Sequence, residues 1–150
     1  RREQERFAAR LAAERATNAD KERIKKTLAD METAWKAKDD EAERKADYAL
    51  HAAIVDASQN ATLIHMMSSI YELTKQGVFY NREFLKSIDG SGKTLLEQHV
   101  KLGQAVIEGD AMAAEEAAGN HIDFVEESFR IGIERHRREV LAEKRRLLSD

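Results

Sequence analysis

The sequence predicts an all-α domain of about six to seven helices, and three observations carry that expectation. Proline is absent from all 150 residues. Ala, Glu, Lys, Arg, Leu and Met are abundant, a composition that favours helix and offers little for strands or tight sheet turns. Apolar residues also recur at spacings of three and four, the period of a helix face.

The length suits one domain, residues 1–150, with a single sizeable core. A formal charge of -3 makes no general case for nucleic acid or a membrane surface. There is no cysteine, which excludes disulfides and thiolate metal sites. No apolar run approaches the roughly 20 residues needed to cross a bilayer. The start, Arg1 to Glu5, is charged, already helical in pattern and lacks an initiator Met. The expectation is a piece of a longer chain.

Phe7, Leu11 and the alanines Ala8, Ala9, Ala12 and Ala13 give a first helix a slim apolar face. Thr17-Asn18-Ala19-Asp20 breaks it, with Asn18 or Asp20 as the expected cap of the next helix. Ile24, Leu28, Met31 and Trp35 then form one amphipathic face. Lys36 to Asp40 is a short polar joint. A third helix, from about Asp40 to Ser58, turns Ala46, Leu50, Ile54 and Ala57 inward. Asn60 is placed to start a fourth, carrying Leu63, Ile64, Met67, Ile70, Tyr71, Thr74, Val78 and Phe79 to about Leu85. At over 20 residues it is expected to be central or kinked near Gly77.

Ile88 to Gly92 reads as the clearest loop. Gly92-Lys93-Thr94 echoes the end of a phosphate loop but lacks its upstream glycine and a preceding strand, so no nucleotide site follows. Leu95, Leu96, His99, Leu102, Val106 and Ile107 mark a fifth helix ending at Gly109, with Asp110 capping the sixth. That last helix carries Met112, Ala113, Glu116, Ala117, Asn120, His121, Phe124, Val125, Phe129 and Ile133. From Arg135 to Arg146 it becomes charged, most simply a solvated helix end rather than a DNA contact.

The chemistry concentrates on histidines. Asp47 and His51 lie one helical turn apart and point the same way. His99 and His121 sit on or beside the apolar stripes of two further helices. One reading is an Asp–His hydrogen bond and ordinary core histidines. The other is a divalent metal site of one carboxylate and three imidazoles, suited to zinc and tolerable to nickel, manganese or iron. His65 reads as surface, and His136 belongs to the charged tail. No nucleophile elbow or His-Glu-x-x-His is present, and no general base is placed beside the four residues. An enzyme is the minor alternative.

Taken together, these segments resemble the C-terminal effector-binding domain of FadR-type regulators in the GntR family of bacterial transcription factors. Asp47-x-x-Leu50-His51 resembles that family's Asp-x-x-Phe-His, with Leu replacing Phe. Ala57-Ser58-Gln59-Asn60, Glu97-Gln98-His99, Ala105 to Asp110 with its Gly-Asp break, and Asn120-His121-Ile122 resemble further family segments. Ala8 to Thr17 resembles its first effector-domain helix. The resemblance implies an antiparallel helical bundle with a central ligand cavity, in which Asp47, His51, His99 and His121 hold the ion. It further implies a small organic acid whose carboxylate meets the metal and nearby polar groups. Arg1 and Arg82 are the guanidinium candidates to clamp it, and Asn60 and Asn120 the amide candidates.

The segment from Tyr71 to Arg82 looks most similar to regulators answering glycolate, lactate or pyruvate, so a 2-hydroxy or 2-oxo acid is expected. The resemblance also implies a cytoplasmic homodimer. DNA would be read by an N-terminal winged helix-turn-helix, which nothing in residues 1–150 resembles. The alternatives are a helical metalloenzyme acting on a small carboxylate and a structural bundle without metal.

Overall fold

The computed structural model describes residues 1–76, 85, 88 and 90–149. Six helices account for nearly all of them: α1 (Arg2–Arg15), α2 (Asn18–Ala37), α3 (Asp40–Ala57), α4 (Ala61–Lys75), α5 (Ser91–Glu108) and α6 (Ala111–Ser149).

Short joints separate α1 from α2, α2 from α3, α3 from α4 and α5 from α6, and a side chain caps the start of four helices. Thr17 caps α2 by accepting from the Asp20 amide, while the Asp20 carboxylate accepts from the Thr17 backbone. Thr17, rather than Asn18 or Asp20, is therefore the cap, with Asp20 completing a capping box. Asp39 caps α3, accepting from Ala42. Asn60 caps α4, accepting from Leu63, and Asp110 caps α6, accepting from Ala113. Gly109 ends α5 at φ 74°, a left-handed position that favours glycine. α5 begins at Ser91, inside the expected loop, and the Ser91 hydroxyl donates to the Leu85 carbonyl at 2.6 Å.

The helices cross as antiparallel pairs. Arg2 reaches Asp123 and Arg6 reaches Glu115, so α1 runs against α6. α2 opposes α5, with Leu28 beside Gly103 and Trp35 beside Gly92. A Cβ on Gly103 would come within 2.8 Å of the Leu28 side chain, so this glycine sets how closely the two helices approach. α2 and α3, packed together and joined by a tight turn, oppose each other likewise, as do α5 and α6.

The main core gathers Ile24, Met31, Leu50, Ile54, Leu102 and Val106 against alanines of α1, α3, α5 and α6. A second cluster joins Ala8, Leu11 and Val55 to Leu63, Met67 and Tyr71 of α4. Each large side chain so buried contributes about 1.5–3 kcal/mol.

Three expectations are corrected. α4 ends at Lys75 with Gln76 as its C-cap; the longer helix, with Val78, Phe79 and a kink at Gly77, falls on residues outside those described. Met112 is 84% exposed, because it lies on the side of α6 opposite the buried Ala114, Ala118 and His121. Phe7 and Trp35 are only partly covered, at the edges of their helix faces. The all-α class and the six helices stand as the sequence reads.

Candidate metal centre

A buried polar centre is assembled from five helices. α3 brings Asp47 and His51, one turn apart; α5 brings His99; α6 brings His121. All four side chains are buried. One ring nitrogen from each of His51, His99 and His121 lies within 4.8 Å of the other two. The Nε2 atoms of His51 and His99 are 3.3 Å apart. Asp47 Oδ1 stands 3.3 Å from each of those Nε2 atoms.

The far sides of two rings are already engaged. His51 Nδ1 faces Glu5 Oε2 at 3.3 Å, and His121 Nδ1 faces Gln98 Oε1 at 3.1 Å. Each acceptor holds a proton on Nδ1, so Nε2 is the nitrogen that a metal would take once it has lost any proton of its own. Glu5 is itself a junction. Its Oε2 also accepts from the Tyr71 hydroxyl at 3.1 Å, and its Oε1 lies 3.3 Å from Arg1 Nε.

Electrostatics follow from this packing. Burial would push the Asp47 carboxyl up, but His99 and His51 outweigh it and hold its pKa well below the usual carboxylate range. Burial would push His51 down, yet Glu5 and Asp47 raise it to about 9. His121 is driven the other way, well below the ordinary histidine value, by burial and then by the neighbouring His99 and His51. Its neutral imidazole is the form that binds a metal.

The donor set fits a divalent ion. Imidazole nitrogens with a carboxylate oxygen suit zinc and its neighbours in the first transition row. With bonds of about 2.1 Å, two ligands at a tetrahedral angle stand about 3.4 Å apart, close to the 3.3 Å separations found here. The buried triad is thus capable of coordinating a divalent metal. Among the residues so grouped are three of the four expected from sequence; Asp47 borders the triad through His51 and His99.

The expected effector contacts are dispersed. Arg1 is close to the centre, its side chain 12% exposed and paired with Glu5. Asn60 spends its carbonyl oxygen on the α4 cap and lines a surface cleft with Glu3, Gln4 and Phe7, which no histidine lines. Asn120 is exposed although its neighbour His121 is buried. Arg82 lies outside the described residues. Sequence reasoning missed Glu5, Tyr71 and Gln98 as polar members of the centre. Glu5 carried a signal, since it falls in register with the apolar stripe of Ala8, Ala9 and Ala12.

A buried histidine triad inside a six-helix bundle defines a metal-binding helical domain, and the family comparison agrees in kind. The model of the FCD domain matches residues 1–124, and the chain belongs to that family. The resemblance to the effector domain of GntR-family regulators is borne out. The chain is 38% identical over 120 residues to the HTH-type transcriptional regulator LutR of Bacillus subtilis (strain 168), covering 79% of this chain and 54% of that protein. It is 32% identical over 114 residues to the putative L-lactate dehydrogenase operon regulatory protein of Escherichia coli (strain K12), and equally to that of Shigella flexneri. Each of those matches covers 76% of this chain and 43% of the relative. The chain thus spans about half the length of these curated relatives.

Proposed function

We propose that this chain is the ligand-sensing domain of a DNA-binding transcription regulator, holding a divalent metal and a small 2-hydroxy or 2-oxo acid that modulates operator binding. The observation that carries this reading is the convergence of His51, His99 and His121 from three helices onto one buried point. Family membership and relatives named as regulators, two of them of a lactate dehydrogenase operon, support it and speak for sensing rather than catalysis. Among the described residues no helix is long and apolar enough to cross a membrane, in keeping with the cytoplasmic site of such regulators.

In this proposal Asp47 joins the three histidines as the fourth ligand, with zinc first among the metals and nickel, manganese or iron as alternatives. The bound ion would supply a Lewis-acidic seat for the acid's carboxylate. The chain's own residues do the rest. Glu5 and Gln98 orient two imidazoles, and the apolar clusters keep bulk water from the centre. Arg1 and Arg82 are the proposed guanidinium contacts to the acid. Asn60, committed to its cap, and Asn120, facing solvent, would have to reorient to join them. A central cavity for the acid is part of the proposal; a small cavity of about 20 Å³ lined by Asp47 and His99 borders the centre. A homodimer, and a winged helix-turn-helix domain outside residues 1–150, complete the proposed regulator. Effector and DNA would then be coupled through differential affinity for two arrangements of the bundle.

Calorimetric titration of lactate, pyruvate and glycolate into the zinc-loaded chain tests this reading. Saturable binding that vanishes with the metal, and no chemical change in the acid, is the expected result. Turnover of the acid would replace the sensor with a metalloenzyme, and absence of both metal and acid binding would leave a structural bundle.

A further inference from the structure

Glu5 is a carboxylate only 4% exposed on a helix face otherwise made of alanine and leucine. Burying a charge there is costly unless donors surround it, and an apolar residue would complete the α1 stripe at lower cost. Three donors from three helices do surround it. His51 of α3 and Tyr71 of α4 converge on Oε2, and Arg1, at the start of α1, approaches Oε1.

His51 lies between two carboxylates, Glu5 beyond Nδ1 and Asp47 beyond Nε2. A proton on Nε2 would point at Asp47 and block the lone pair that faces His99. A proton on Nδ1 would point at Glu5 and leave that lone pair free. The choice between these tautomers decides whether His51 can serve as a ligand.

We propose that Glu5 is a positioning residue of the metal centre: its carboxylate holds His51 through Nδ1 so that Nε2 faces the ion, and Arg1 and Tyr71 hold that carboxylate in place. The inference rests on the metal reading above and adds to it. It builds the first turn of α1 into the centre, although α1 supplies no ligand. Gln98 does the corresponding work for His121, but with a neutral amide. Glu5 is the charged and more deeply buried of the two supports.

Zinc titration against a competing chromophoric chelator, with wild-type chain, Glu5→Ala and Glu5→Gln, tests this. Removing an outer support of a ligating histidine weakens metal binding about 10–100-fold, and that is the loss expected for Glu5→Ala. Glu5→Gln keeps an oxygen acceptor for Nδ1–H and should recover to within about tenfold of wild type. Long-range ¹H–¹⁵N spectra of the zinc-loaded chains give a readout that general loosening of the fold does not imitate. His51 should carry its proton on Nδ1 in wild type and Glu5→Gln. Folded Glu5→Ala that binds zinc within about twofold of wild type overturns the inference alone, as does Glu5→Gln as weak as Glu5→Ala. Should Glu5→Ala fail to fold, the His51 signal in Glu5→Gln decides: a proton on Nδ1 supports the role and one on Nε2 overturns it. A wild-type chain that binds no zinc overturns this inference together with the metal reading.

Discussion

The two halves of α6 share one continuous helix and behave as different materials. From Ala114 to Ser128 the helix packs on α1 and α5 and buries Ala114, Ala117, Ala118, His121, Ile122, Val125 and Ser128. From Glu134 to Leu148 every residue is exposed. His121 and His136 make the contrast in a single residue type: one sits 2% exposed among two other imidazoles, the other faces water. The match to the family domain ends at residue 124, just past His121. Local propensity and ion pairs three or four residues apart, such as Arg130 with Glu127 and Glu134, carry a helix onward. Burial and chemistry require partners from other helices, and the buried residues described in α6 past Ser128 reduce to Gly132.

Substitutions in pairs sharpen this comparison. The largest effect is expected for His121→Ala, which should weaken zinc binding at least about 100-fold, since it removes a ligand outright rather than its outer support. His136→Ala should leave the same zinc titration unchanged. Next, Leu50→Ala in the main core should cost about 2–5 kcal/mol in urea unfolding, whereas Leu148→Ala in the outer half of α6 should stay within about 0.5 kcal/mol. Equal costs would erase the distinction between the halves.

Local devices inside the bundle fall between these. Thr17→Ala removes the α2 cap and should cost about 1 kcal/mol by the same unfolding assay. The smallest effect is a pH slope. Hydrogen bonds from the Thr17 backbone hold the Asp20 carboxyl below its ordinary value of 3.8. Its contribution is therefore present above that value and disappears as pH falls through the lowered one. Asp20→Asn should flatten the acid limb of the stability profile slightly, by lowering stability a little at neutral pH and changing it least below the lowered value. An unchanged acid limb would mean the capping box carries no charge effect.

The sequence spoke most clearly where a local rule and a tertiary need coincide. Asp47 and His51 were legible because a one-turn spacing puts two polar groups on a face that otherwise reads as core. His99 and His121 were legible for the same reason on their own helices, and the structure brings all three imidazoles together. Glu5 obeys that rule too and was overlooked, since a charged N-terminal turn reads as solvated until Tyr71 arrives from a distant helix. Gln98 was visible only as part of a motif; its bond to His121 exists because α5 and α6 pack antiparallel. Asn60 served the local role its position suggested, a cap. Met112 shows the opposite failure: it is apolar and reads as core, yet it lies on the side of α6 away from Ala114, Ala118 and His121 and faces water.

The central claim is that His51, His99 and His121 form one metal site. Its most direct test is elemental analysis of chain purified after exposure to zinc and extensive dialysis, for wild type and His99→Ala. The account predicts one zinc per wild-type chain and none for folded His99→Ala. Zinc retained equally by the variant, or washed out of the wild type, would contradict it.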